Sequence, residues 1–316
     1  MRKTAIIIVN YRTPGLVVDC LHSLSAEVRG EPDCRVIVVD NASGDGSADH
    51  IGTAIKAAGW TWAELLPQER NGGFAFGNNI AIRKLLRSNN PPAYFHLLNP
   101  DTYIRPGAVS KLIDFMDAHP RVGIAGSRLE YPDGSPQCAA FHFHGILSEL
   151  ERGLRLGLVS KLLERWMVAP LPRDVPHRTD WVNGASMMVR REVFDSIGLL
   201  DESFFLYYEE TDFCRRARHA GWSCWHAPQS RVVHLEGQST GVTGASAKRK
   251  RLPSYLFDSR RRYFRKHHGA GYEFLANLAY TGCYALWRFR KWLQFKEDQD
   301  PPGYLKDFVR NALLKM

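Results

Sequence analysis

The side chains best suited to chemistry fall in a few polar clusters. Glu209, Glu210 and Asp212 stand together at the head of a helical pattern, directly after Phe204, Phe205, Tyr207 and Tyr208. Carboxylates that emerge from an aromatic run lose solvation, which raises their pKa and suits a general base. The same cluster also complements a helix dipole, worth ~0.3–1 kcal/mol, and that role needs no catalysis. Asp40 and Asp101 each close an apolar run, in Asp40-Asn41-Ala42-Ser43 and Asn99-Pro100-Asp101. A carboxylate at such a place can accept hydrogen bonds from a base or ribose. One Asp beside a diphosphate also suffices for Mg²⁺ or Mn²⁺, which takes few carboxylates and completes its shell with phosphate oxygens and water. His234 ends the apolar run 231–234, where a lone histidine is ordinarily structural.

These clusters need elements that bring them together. Residues 5–9 (AIIIV) and 35–39 (RVIVV) are continuous β-branched runs and read as strands buried on both faces. A helix with Leu16, Val17, Cys20, Leu21 and Leu24 at helical spacing follows the first, and a helix over 47–58 follows the second. A third strand falls at 60–66, a loop at 71–77, a helix near 78–87 and a fourth strand at 94–98. This β–α–β–α order predicts a mostly parallel sheet flanked by helices. In such sheets ligands bind at the carboxyl ends of the strands. Asn10-Tyr11-Arg12, the 40–45 cluster and 99–101 all sit there, although Asn, Asp, Gly and Pro also simply form turns. Further strands are expected at 123–131, 181–189, 222–226 and 231–234, with helices at 191–197 and from 206 to 220. Residues 137–180 show only a helical patch near 147–166.

Several classes are excluded. No G-x-G-x-x-G follows either of the first two strands, and there is no P-loop. The 41–46 stretch resembles the start of a calcium loop, but its twelfth position is Gly52 and lacks the bidentate ligand. A sugar nucleotidyltransferase on a similar sheet stays the less favoured alternative, because that class usually carries a Gly-rich loop with Arg and Lys straight after strand one and residues 10–15 lack it. The chain has 316 residues, 44% hydrophobic and 24% charged, enough for a large core without disulfide or metal staples. Its six cysteines form no CxxC, so reduced thiols are expected. The first apolar run is too short for a signal peptide. The longest near-apolar stretch, 274–287, falls short of the ~18–20 residues a span requires. A cytoplasmic protein without a transmembrane helix is therefore expected.

The ordered set IIIVNY (6–11), VVDNAS (38–43), NGGFAFGNN (71–79), LLNPD (97–101), WVNGASMMVRR (181–191), FFLYYEETDFCRR (204–216) and VVH (232–234) resembles the bacterial family 2 glycosyltransferases of the GT-A fold. Within them it is most similar to the rhamnosyltransferase-like branch, over about residues 4–268. The resemblance implies inverting transfer of a sugar from a nucleoside diphosphate, with dTDP-L-rhamnose the favoured donor and UDP- or GDP-sugars the alternatives. The acceptor it implies is a glycan or polyprenyl-diphosphate-linked glycan of a cell wall or surface polysaccharide. Asn10, Tyr11 and Arg12 would line the nucleotide pocket and Asp40 would contact the base. Asn71, Gly73, Asn78 and Asn99 would lie near the nucleotide and diphosphate. Asp101 and His234 would hold Mg²⁺ or Mn²⁺, with Asn99 where many relatives carry Asp. Glu210 would be the base, with Glu209 and Asp212 as substitutes, and Trp181, Asn183 and Gly184 would face the acceptor or donor sugar. The catalytic domain would span 1–240, its nucleotide half about 1–101 and its acceptor half about 102–240.

Residues 241–316 form a separate basic, mainly helical region. The net charge is +9, yet residues 248–316 hold 16 Lys and Arg against 6 Asp and Glu, and the residues before them 26 against 27. Cationic bursts at 248–251 and 260–266 precede an apolar stripe of Leu275, Leu278, Gly282, Ala285, Phe289 and Leu293. Arg288, Arg290, Lys291, Lys296, Trp287 and Trp292 share this segment. A basic helix with tryptophans suits a membrane interface, which would hold the protein on the inner face of the cell membrane. The stripe could instead pack on the catalytic domain or on a second subunit of a homodimer. Residues 260–266 are also candidates for binding a donor or acceptor diphosphate. No helix-turn-helix, ribonucleoprotein or zinc-finger signature is present, so nucleic acid is not an expected partner.

Overall fold

The computed structural model describes residues 4–30, 33–238, 250–297 and 300–313. The N-terminal stretch alternates strand and helix: β1 (Thr4–Asn10), α1 (Pro14–Gly30), β2 (Cys34–Asp40), α2 (Ser47–Ala57), β3 (Ala63–Pro67), α3 (Gly73–Leu86) and β4 (Tyr94–Leu98). Then come β5 (Thr102–Ile104), α4 (Ala108–Ala118), β6 (Val122–Glu130), β7 (Ala140–Phe141), α5 (Ile146–Leu154), α6 (Gly157–Leu162), β8 (His177–Thr179), β9 (Trp181–Val182) and β10 (Ser186–Arg190). The chain closes with α7 (Arg191–Ile197), α8 (Glu209–His219), β11 (Ser223–His234), α9 (Ser254–His268), α10 (Ala270–Leu293) and α11 (Tyr304–Phe308).

One sheet of nine strands has the order β3-β2-β1-β4-β10-β6-β11-β5, with β8 also paired to β11. β1–β4, β6 and β11 run one way, whereas β5, β8 and β10 run the other. The sheet is thus mixed but mostly parallel, as the βαβ pattern implies. β1 and β2 are buried on both faces, because helices cover the parallel part. Ile6, Ile8, Val36 and Val38 meet Leu21 and Leu24 of α1 in that core.

The antiparallel insertion of β10 decides where the site can be. Ser186 opposes Leu98, so the chain entering β10 meets the chain leaving β4. The Asn99 N–H donates to the Ala185 carbonyl at 3.0 Å, joining the 99–101 and 183–185 turns.

The chain divides into two compact units. The first comprises Met1–Phe141, Leu171–Phe205 and Glu209–Gly241, and the second His142–Pro170, Leu206–Tyr208 and Val242–Met316. The helical part is therefore not confined to 241–316, because α5 and α6 belong with α9–α11. Inside that unit α5 lies along α10, closely enough that a Cβ on Gly153 would stand 2.7 Å from the Cys283 Cβ.

A buried ion cluster explains the recruitment of 142–170. Arg260 on α9 is 2% exposed, donates to Glu149 on α5 at 2.8 Å and also binds Asn277 on α10. Burial alone would raise the Glu149 carboxyl, but Arg152 and Arg260 hold it well below the ordinary range. Arg260 is thus consumed inside its own unit and is not a diphosphate ligand. Of the first cationic burst, residues 248 and 249 lie outside the described residues.

Candidate active site

The site is built at the carboxyl ends of β1, β2 and β4. Asn10 and Asp40 end adjacent parallel strands, and their side chains are bonded at 2.7 Å. Ser43 locks the pair. Its Oγ donates to Asp40 Oδ1 at 2.6 Å, its N–H donates to Oδ2 at 3.2 Å, and it receives the Arg12 N–H at 2.9 Å. Asp40 is buried, so its immediate work is to tie two strand ends into one rim. Arg12 and Ala42 both take left-handed backbone, with φ of 59° and 56°. Such strain persists only where the surroundings over-determine it. The Arg12 Nε–H reaches the Ser43 carbonyl at 3.0 Å, and the Arg12 guanidinium lies 5.2 Å from the ring of half-exposed Tyr11.

The loop before α3 was expected to run to Gly77. Instead α3 starts at Gly73, because the Asn71 Oδ1 accepts the Gly73 N–H at 2.9 Å and replaces a missing helical partner. Asn41 crosses over from β2 and donates to both Asn71 Oδ1 and the Gly73 carbonyl. Gly73 has φ +87°, and a Cβ there would lie 1.9 Å from the Phe205 carbonyl oxygen. That carbonyl also accepts the Phe74 N–H at 3.0 Å. Asn78, expected beside the nucleotide, is 1% exposed and bonded back to the Phe74 carbonyl. It braces the first turns of α3 from inside.

Asp101 and His234 meet across the β5–β11 pairing. The Asp101 Oδ1 lies 3.6 Å from His234 Nε2, both side chains being nearly buried. Gln137 fixes the ring. Its Nε2 donates to the His234 carbonyl at 2.8 Å, which orients the amide so that its Oε1 faces His234 Nδ1 at 3.3 Å. With the proton on Nδ1, the Nε2 lone pair confronts a carboxylate oxygen. Two acceptors facing each other suit a cation between them, and an oxygen that accepts the other ring N–H of a ligating histidine is usual at metal sites. These residues therefore fit a divalent ion that takes its remaining ligands from a diphosphate. Among the described residues no cluster of three or more His, Cys, Asp or Glu could hold a metal by itself.

Glu209 and Glu210 open α8, after Tyr207 and Tyr208 with left-handed φ of 70° and 71°. Burial, and the charge of Glu210 beside it, push the Glu209 carboxyl far above its ordinary range. Glu210 is raised to about 7, chiefly by burial, with the Gly184 N–H among the groups that hold it down. One oxygen on each of these carboxyls is buried without a hydrogen-bond partner among the described residues. A Cβ on Gly184 would stand 3.9 Å from Glu210 Oε1 and 3.3 Å from the Phe74 ring. The linkage Asp101–Asn99–Ala185–Gly184–Glu210 thus runs along one end of the sheet.

Two expected residues serve otherwise. Asp212 is fully buried in an ion pair with Arg216 at 2.8 Å, and Arg216 is bound in turn to the Ile197 and Leu199 carbonyls. It anchors α8 and is no substitute base. Trp181 is stacked on Phe141 with ring centroids 4.2 Å apart, so its face is covered by packing. The expected strand 181–189 breaks at 183–185, where the Asn183 Oδ1 accepts the Ala185 N–H at 2.8 Å.

The family described as Glycosyl transferase family 2 matches residues 5–197. The chain is 27% identical over 268 residues to the N-acetylglucosaminyl-diphospho-decaprenol L-rhamnosyltransferase of Mycobacterium tuberculosis, covering 80% of this chain and 78% of that one. It is 28% identical over 220 residues to the dTDP-rhamnosyl transferase RfbF of Shigella flexneri, covering 70% and 66%. Among solved structures, GalNAc-T7 with UDP, GalNAc and Mn²⁺ aligns with a TM-score of 0.64 at 16% identity, over 100% of this chain and 58% of that one. The mannosyltransferase PcManGT from Pyrobaculum calidifontis, in complex with GDP-Man and Mn²⁺, aligns with a TM-score of 0.61 at 14% identity, over 100% and 88%. At such identities the likeness is one of fold, here of the GT-A type. With a paired acid and histidine at one strand end, a raised carboxyl linked to it, and a family match over more than half its length, the chain belongs to glycosyl transferase family 2 and is rhamnosyltransferase-like.

Proposed function

We propose that this glycosyltransferase moves L-rhamnose from dTDP-L-rhamnose, with inversion, to a hydroxyl of a glycan or polyprenyl-diphosphate-linked glycan, at the cytoplasmic side of the cell membrane. The observation that carries the chemistry is the buried Glu210 carboxyl, one of whose oxygens has no hydrogen-bond partner among the described residues, joined through Gly184 to the turn that bears Asp101. The rhamnosyl assignment is supported by the two relatives named for rhamnosyl transfer.

Asn10, Tyr11, Arg12 and Asp40 form the rim for the base and ribose. Asn71 and Gly73 form the turn beside the diphosphate, with Asn99 on the facing loop. Glu210, ionised, takes the proton of the acceptor hydroxyl as that oxygen attacks carbon one of the sugar. The new carbon–oxygen bond forms as the old one to the diphosphate breaks, and the bonding pair leaves with the diphosphate. The transition state is oxocarbenium-like, as in glycoside hydrolysis. Burial and the neighbouring Glu210 charge favour the neutral form of Glu209, which limits the negative charge facing the donor. Asp101 and His234 would hold a Mg²⁺ or Mn²⁺, which when bound neutralises charge on the departing diphosphate. Asn183 and Gly184 border the space beside Glu210 where a sugar would lie.

A thermal-shift screen of nucleotide sugars, with and without Mn²⁺, tests the donor. Selective stabilisation by dTDP-rhamnose supports the proposal, since a ligand that binds only the folded state raises the melting temperature. Selective stabilisation by a UDP- or GDP-sugar contradicts it.

A further inference from the structure

The apolar stripe of α10 is not covered by any described part of the chain. Leu275, Leu278, Phe289 and Leu293 are between 52% and 59% exposed, and Leu286 and Trp292 are 63% and 70% exposed. The other face of the same helix buries Ala276, Tyr280, Cys283 and Tyr284 within its own unit. At ~100° per residue the exposed side chains form one continuous face, about 36 Å long for 24 residues. Arg288 falls on one border of that face and Arg290 on the other. The single acidic residue of α10, Glu273, is buried on the opposite side.

A cleft of about 950 Å³ adjoins Arg288, with Tyr304, Leu305 and Val309 as apolar lining and Lys306 and Arg310 as further cations. Its one acid, Asp300, is already bound by Arg155 at 3.0 Å and by the Tyr284 hydroxyl at 2.6 Å. The surface thus combines exposed apolar and aromatic side chains with cations and no exposed acid on the helix. Among the described residues no helix is long and apolar enough to cross a membrane.

We infer that this face lies on an anionic lipid bilayer. Leu278, Leu286, Phe289 and Trp292 enter the boundary between headgroups and acyl chains, and Arg288, Lys306 and Arg310 meet lipid phosphates. Burial of the apolar side chains supplies the affinity, and the cations supply the preference for negative lipid. The inference deepens the proposed reading and takes from it only that the acceptor is anchored in such a surface. The residues themselves are argued from the helical unit alone.

The test is co-flotation of the full chain with phosphatidylcholine vesicles, with and without phosphatidylglycerol, alongside light scattering of the free protein. Flotation with the mixed vesicles is expected, at least tenfold weaker with phosphatidylcholine alone. Leu278→Gln combined with Phe289→Gln, and separately Lys306→Glu combined with Arg310→Glu, should each reduce it at least tenfold. Circular dichroism and transfer to a water-soluble acceptor should be unchanged in both. Equal flotation of wild type and variants overturns the inference, as does no flotation at all. A wild-type dimer that the Leu278→Gln, Phe289→Gln change converts to monomer, without vesicle binding, assigns the face to a second copy and also overturns it. If flotation fails while dTDP-rhamnose still stabilises the protein, the donor reading survives. If flotation succeeds and no rhamnose donor binds, the docking face survives alone.

Discussion

Adjacent carboxyls at 209 and 210 share one helix start but not one environment. Glu210 keeps the Gly184 N–H, whereas Glu209 has burial and a neighbouring charge against its ionisation. A carboxyl raised in the folded state contributes stability that is complete below its unfolded pKa of ~4.3 and is lost as pH rises through the folded value. For Glu210 that window runs up to about 7. Glu210→Gln should therefore stabilise the protein at pH 8 by on the order of 3–4 kcal/mol, with little difference at pH 4. Urea unfolding of both proteins at the two pH values checks this, and equal midpoints at pH 8 would count against a buried, ionised Glu210. Gln137→Leu removes the oxygen behind His234. Divalent-ion titration of donor binding should then require ~10–100-fold more metal, as when other hydrogen-bond partners of ligating histidines are lost. Gln137 illustrates what a linear reading misses: it lies in a stretch without periodicity, and its partner His234 is 97 positions away. Glu210 and Asp101, by contrast, stand out as candidates within clusters of adjacent residues.

Elements are most legible in the sequence where one interaction dominates. β4 and α7 occupy the expected residues because a buried run and a short apolar-periodic helix need no distant partner. The start of α3 and the break at 183–185 were missed because side-chain bonds from Asn71 and Asn183 reshape the backbone there. β11 appeared as two strands, and the register shift between Ala227 and Arg231 explains the interruption of its pattern. The start of α3 depends on Gly73. Gly73→Ala faces both a positive φ and the Phe205 carbonyl, and should cost at least ~2 kcal/mol. Differential scanning calorimetry should show the loss, and donor KM should rise as the 71–74 turn shifts. A variant as stable as wild type with unchanged KM would remove this turn from the nucleotide site.

On the scale of the whole molecule, the two compact units rest on different physics. The sheet unit is sealed by β-branched strands under helices. The helical unit is organised around Glu149 and Arg260, a fully buried pair. Arg260→Met leaves Glu149 with a weaker set of cations and should destabilise that unit by ~3–5 kcal/mol. The basic composition at 260–266 was legible, but its division into a buried Arg260 and exposed Arg262, Arg265 and Lys266 was not. The loss in Arg260→Met should appear as a lowered first transition in helix content on heating. A single unchanged transition would show that the pair is dispensable.

Glu210, at a site continuous with Asp101, is the proposed acceptor of the hydroxyl's proton. Single-turnover transfer as a function of pH, in wild type and Glu210→Gln with donor affinity measured in each, tests that role most directly. The rate in wild type should fall below a pH of about 7. Glu210→Gln should lose ~10²–10⁴-fold in rate at every pH, with donor affinity unchanged. A variant that transfers within tenfold of wild type and keeps the same pH profile would contradict the account.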